Sequence, residues 1–205
     1  MVDEKQLEEK QFENLINGLM LNNYGCADKF VQPNTLVGLR NKMEGFKTTG
    51  EMHSAGFGKH LDFNQNKLIR GDKIKWLDEI SEDQHETIFL NKMDHFIDYL
   101  NLTCFTSINR FESHYSSYAQ KSFYKKHLDQ FQNDRGRKYS VILYLNENWK
   151  KQDGGKLSLY PEGGRKKNIA PLGGRLVFFR SDEMVHEVQP SFTRERMSIA
   201  GWFKS

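Results

Sequence analysis

Within KKHLDQF, residues 125–131, a histidine and an aspartate stand two positions apart, and an extended chain turns residues i and i+2 to the same face. His127 and Asp129 can therefore converge on one metal ion while Leu128 points away. A third donor is His186 in MVHEV, where Met184 and Val188 share its parity and mark the inward face of its strand. Two imidazoles and one carboxylate on one side of a metal, with the other positions open, suit non-haem Fe(II), and zinc accepts the same donors. The chain spells nearly the same words earlier, as KHLDF at 59–63 with His60 and Asp62. That copy lies in a polar, glycine-flanked stretch without strand alternation, and choosing it leaves Asp129 and His186 unexplained.

The choice between metals turns on RERMSIAGWF, where Arg196, Ser198, Ala200 and Trp202 share one face and set a guanidinium beside small side chains. A buried arginine requires an anion, and a planar carboxylate fits its fork. The inward face offers no carboxylate that is not committed to the metal. An external dicarboxylate meets the demand, one end on iron and the other on Arg196, which is the role of 2-oxoglutarate. Arg194, on the same face two residues earlier, is the rival for that anion.

The elements that must hold these groups follow from periodicity. Helical spacing runs through residues 3–22, from Pro33 to Gly45 and over roughly 86–101, with Asn22, Asn23 and Gly25 as stop signals for the first helix. A polar, glycine-bearing stretch separates the second and third helices and ends in IRGDKIKW, a short strand entry; a long loop of this kind carries binding. From Leu102 onward, short β-like runs alternate with QDGG, PEGG and PLGG, the punctuation of an antiparallel sandwich or barrel. The expected organisation is a single domain over 1–205, with helical support in 1–101 and a β core in 102–205.

Composition narrows the class. The chain has 205 residues, 37% hydrophobic and 28% charged, and no run approaches the ~18 continuous apolar residues of a membrane span. A net charge of +3 is too small to argue for nucleic acid, and the cluster of Lys121, Lys125, Lys126, Arg135, Arg137 and Lys138 reads as a solvated basic face. Cys26 and Cys104 are isolated and read as reduced thiols. The first residues lack a signal-peptide core, and the expected location is the cytoplasm.

Taken together, IRGDKIKW, YLNENW, GGKLSLYPEGG, RLVFFRSD, HEVQP and RMSIAGWF resemble the 2-oxoglutarate- and Fe(II)-dependent prolyl 4-hydroxylases, in the branch of the animal oxygen-sensing (hypoxia-inducible-factor-type) enzymes and their bacterial relatives. The resemblance covers most of the chain. It implies an α+β, mainly β fold, a double-stranded β-helix (jelly roll, cupin-like) with N-terminal helices on one side. It implies His127, Asp129 and His186 as iron ligands and catalytic centre, and Arg196, Tyr144 and an upstream tyrosine, Tyr118 before Tyr115, as the 2-oxoglutarate site. Residues 50–75 match a segment that folds over a peptide substrate, with Arg70, Asp72, Arg137 and Trp202 as substrate or closure residues and an Asp72–Arg137 salt bridge expected. Ala200 departs from the threonine of the animal branch.

The implied reaction hydroxylates a proline in a protein, such as a translation component, while O2 and 2-oxoglutarate give succinate and CO2, with ascorbate as reductant. Hydroxylation of another side chain or a free amino acid is the alternative enzyme reading. A non-catalytic metal-bound jelly roll is the alternative of another class.

Overall fold

The computed structural model describes residues 4–56, 69–130 and 135–205. Helix α1, Glu4–Asn22, leads into a four-residue strand β1, Tyr24–Ala27. Helix α2, Pro33–Thr48, has proline in its first turn, where the missing N–H costs nothing. Two strands follow, β2 at His53–Ser54 and β3 at Asp72–Leu77. Helix α3, Gln84–Cys104, begins at Asp83, whose carboxylate accepts from the backbone N–H groups of His85 and Glu86 at 2.9 and 3.1 Å. It ends on Phe105 in the left-handed conformation.

The remaining chain is strand and turn. Its strands are β4, Arg110–Tyr118; β5, Tyr124–His127; β6, Arg137–Tyr144; β7, Leu157–Tyr160; β8, Lys167–Ile169; β9, Leu176–Arg180; β10, Val185–Val188; and β11, Arg196–Lys204. They form two antiparallel sheets, a seven-stranded one in the order β1-β9-β6-β11-β4-β3-β2 and a four-stranded one in the order β5-β10-β7-β8.

Strand parity sorts the large sheet into two faces. Phe111, Tyr115, Val141, Leu143, Phe178, Ile199 and Phe203 turn outward against Phe12 and Leu15 of α1, Leu39 and Met43 of α2, and Phe89, Met93 and Phe96 of α3. Tyr118, Ile142, Tyr144, Val177 and Phe179 turn inward and meet Leu157, Leu159 and Val188 of the small sheet. The fold is therefore the expected double-stranded β-helix, with the helices on one side of the large sheet. Among the described residues no helix is long and apolar enough to cross a membrane.

Helix α1 ends at Asn22, as its stop signals predict, and Gly25 then sits inside β1 opposite Phe178, because a Cβ there would lie 2.1 Å from the Leu15 carbonyl oxygen and only glycine lets α1 press onto the strand. IRGDKIKW supplies a full strand of the large sheet through β3, beside β4. His60 and Asp62 of the earlier look-alike lie outside the described residues.

Candidate active site

Between the sheets, one pocket collects His127, Asp129, His186, Tyr118, Arg196 and Trp202 among its lining residues. His127 and His186 face each other across the β5–β10 ladder, and His186 shares its buried face with Met184 and Val188, as its parity predicts. Asp129 lies in the bend after β5, not within the strand, so ladder parity does not fix it. A hydrogen bond of 2.7 Å from Ser140 on β6 does, with Ser140 in turn 2.8 Å from Ser181. The imidazole Nε2 atoms of His127 and His186 stand 3.5 and 3.6 Å from the two carboxylate oxygens of Asp129, and one donor atom from each residue lies within 4.8 Å of the others.

The tautomers suit a cation. Nδ1 of His127 donates to the Lys125 carbonyl at 2.7 Å and Nδ1 of His186 to the Met184 carbonyl at 3.0 Å, which leaves both Nε2 lone pairs free to ligate. Burial, reinforced by neighbouring His127, holds His186 at a pKa of about 4, hence neutral. Although burial alone would raise it, the Asp129 carboxyl is held well below its ordinary value by the two imidazoles and Ser140. The His127 ring also stacks on Tyr124 at 3.5 Å between centroids, and the Arg70 guanidinium lies over the Tyr124 ring at 4.8 Å.

At the far end of the pocket Arg196 is 2% exposed, and among the described residues no carboxylate pairs with it. Its Nε donates to the Gly155 carbonyl at 3.1 Å and its Nη1 to Ser198 at 3.3 Å. The rings of Tyr144 and Tyr118 flank it at 4.9 and 5.1 Å, and Tyr144 Oη is buried without a hydrogen-bond partner among the described residues. A buried cation with no counter-ion beside an orphaned hydroxyl is a cradle for an anion brought from outside. The donor set thus fits a divalent metal, and the Arg196 end fits the distal carboxylate of 2-oxoglutarate.

Several residues sort themselves by position. Tyr118 lines the pocket opposite Arg196, whereas Tyr115 turns to the helix side and donates to Glu86 at 2.9 Å. Arg194 is exposed over Trp149 and leaves the pocket to Arg196. The expected Asp72–Arg137 pair is not formed. Buried Asp72 pairs with Arg70, two residues away, at 2.6 and 3.0 Å and accepts from Ser116 at 2.8 Å. Arg137 reaches Glu112 at 3.1 Å and lies 3.4 Å over the Trp202 ring, because the β6–β11 register sets it beside the end of β11 and far from β3. Sequence reasoning missed Ser140, Tyr124 and His114. Ser140 and His114 share parity with Tyr144 and Tyr118 on their own strands, which was the available signal.

With this geometry in view, the comparisons with known proteins speak to the same chemistry. The model of the 2OG-Fe(II) oxygenase superfamily matches residues 113–204. A prolyl-4-hydroxylase of Pseudomonas putida superposes with a TM-score of 0.85 at 31% identity, covering 94% of this chain and 98% of that one. The chain belongs to the 2OG-Fe(II) oxygenase superfamily. A second solved member, a prolyl hydroxylase from Trichoplax adhaerens in complex with a hypoxia inducible factor peptide fragment, superposes at a TM-score of 0.87 with 26% identity, covering 100% of this chain and 93% of that one. Human Egl nine homolog 1 is 36% identical over 148 residues, 68% of this chain and 34% of that protein. The chain thus spans about a third of the length of this curated relative. The resemblance carried by its motifs is that of a true superfamily member.

Proposed function

We propose that this chain is an Fe(II)- and 2-oxoglutarate-dependent dioxygenase that 4-hydroxylates a proline within a protein. One observation carries the reading: a single pocket contains both a His-Asp-His triad and a buried arginine that has no acidic partner among the described residues. His127, Asp129 and His186 would hold Fe(II), and Arg196, Tyr144 and Tyr118 would hold 2-oxoglutarate. Bound there with O2, these groups supply the oxidising power that places one oxygen atom on a substrate carbon and the other in succinate, with release of CO2.

The chain's own residues do the rest. Ser140 fixes the Asp129 carboxylate, and the Lys125 and Met184 carbonyls orient the two imidazoles. Phe179, packed 4.8 Å from His186, and the apolar cluster of Ile142, Leu157 and Val188 keep water from the interior of the site. Arg70, Asp72, Arg137 and Trp202 stand at the substrate side. There Arg70 and Asp72 pair with each other at the start of β3, and we expect residues 50–75 to cover a peptide.

The peptidyl substrate is supported by the Pseudomonas and Trichoplax relatives, both described as prolyl hydroxylases. We place the enzyme in the cytoplasm, consistent with two exposed free thiols, with ascorbate as reductant and a translation component as substrate. The test is a host-cell lysate incubated with enzyme, Fe(II), ascorbate and 2-oxoglutarate, followed by peptide mapping. An enzyme-dependent +16 Da shift on a proline is expected; the shift on another residue type, or on no protein at all, overturns the reading.

A further inference from the structure

The pocket is long, and its end away from Arg196 is built differently. Arg196 and Trp202 stand six positions apart on β11, about 20 Å at ~3.3 Å per strand residue. Asp129 is tied to Ser140, which sits opposite Trp202, so the triad's carboxylate is anchored toward the Trp202 end. There β4 places His114 opposite both Ala200 of β11 and Trp76 of β3. The His114 ring meets Trp76 edge to face at 5.1 Å and Trp202 at 5.5 Å.

His114 is 2% exposed, and burial together with the charge of nearby Arg70 holds its pKa near 4, so it is neutral. Its Nδ1 donates to the Tyr115 carbonyl at 3.2 Å, which assigns the proton to Nδ1 and leaves Nε2 as an acceptor. Among the described residues Nε2 has no hydrogen-bond partner. The indole N–H of Trp202, 6% exposed, is a buried donor likewise without a partner. His114 and Trp202 both line the pocket, so an imidazole lone pair and an unpartnered indole N–H set between aromatic rings match the two faces of a secondary amide, and the buried indole N–H is costly unless something completes it.

We propose that His114 is a specificity-determining residue: its Nε2 accepts a hydrogen bond from the peptide N–H that follows the target proline, while the Trp202 indole N–H donates to a neighbouring carbonyl. The inference rests on the peptidyl-proline reading above and deepens it. Proline's own nitrogen carries no hydrogen, so the nearest backbone donor belongs to the next residue. Free proline offers a carboxylate at that place, an anion facing an acceptor. The site therefore selects proline inside a chain.

The test uses protein loaded with catalytically inert Zn(II) and 2-oxoglutarate, titrated with N-acetyl-L-proline N-methylamide and with N-acetyl-L-proline methyl ester, which lacks the N–H. The wild-type protein should bind the amide about three- to tenfold more tightly than the ester, the worth of one buried hydrogen bond. His114→Met, which fills the volume without an acceptor, should bind the two equally, and His114→Gln, which restores one, should recover the preference. Affinity for 2-oxoglutarate verifies that both variants are folded. Equal binding of the two probes by the wild type, a preference that survives in His114→Met, or no binding of either probe overturns the proposal. Binding needs no turnover, so the two failures are distinguishable: loss of the amide preference overturns the role of His114 alone, whereas an amide preference without any hydroxylated proline in the lysate overturns the functional reading on which that role rests.

Discussion

The guanidinium carbon of Arg196 lies 4.9 Å from the ring of Tyr144, and the hydroxyl of that tyrosine is buried with no hydrogen-bond partner among the described residues. A protein tolerates a buried positive charge and an orphaned donor side by side when a third, negative group completes them. This pair supports the proposal that the site binds a carboxylate.

Arg196→Ala should weaken 2-oxoglutarate by about one to two decades, since a charge-assisted hydrogen bond is worth ~1.5–3 kcal/mol. The KM for 2-oxoglutarate, or its direct binding to Zn(II)-loaded protein, reads this out. An unchanged affinity would remove Arg196 from the cofactor site.

Tyr144→Phe separates cofactor binding from stability. Deleting an unpartnered buried hydroxyl removes a desolvation penalty, so the Tm of the metal-free protein should hold or rise slightly, while 2-oxoglutarate binding weakens by about three- to tenfold. A fall in Tm with normal cofactor affinity would mean that the hydroxyl serves the fold.

Two buried histidines set a pH dependence of the metal-free protein. His114 and His186 are both lowered from the ordinary 6.5 to about 4, in each case chiefly by burial. Between those values the unfolded chain binds protons that the folded chain refuses. Stability is therefore full above about pH 6.5 and falls as pH drops toward 4, by ~1.4 kcal/mol per pH unit for each group. Thermal melts across this window should show that slope, and His114→Met should flatten it by about half.

Asp72 and Arg70 form a buried pair at the base of the 50–75 segment, with the Asp72 side chain fully buried. Asp72→Ala should destabilise the protein by about 3–5 kcal/mol because it strands the Arg70 charge. Turnover of a protein substrate should fall further than 2-oxoglutarate affinity if the pair also serves substrate binding. Intact turnover with a protein substrate would limit the pair to a structural role.

The sequence revealed those parts of the site that depend on strand parity and concealed those that depend on register. His186 and Arg196 were legible because Met184, Val188, Ser198 and Ala200 mark an inward face by alternation alone. Asp129 was found by the same rule although it lies past the end of β5, where a hydrogen bond from Ser140 on another strand takes over. The partner of Asp72 was misread because Arg137 comes near only if β6 neighbours β3, and the sheet order separates them by β11 and β4. Strand β1 was hidden by Gly25, a residue that usually ends elements and here permits the close approach of α1. His114 shares parity with Tyr118 on β4, but no second metal-binding residue at i+2 singles it out.

The central claim is tested most directly by isotope. With enzyme, Fe(II), 2-oxoglutarate and a proline-containing protein substrate under 18O2, one labelled atom should appear in hydroxyproline and one in succinate, in equal amounts, and neither should appear with His127→Ala. Succinate formed without labelled hydroxyproline, or hydroxyproline whose oxygen comes from water, would contradict the account.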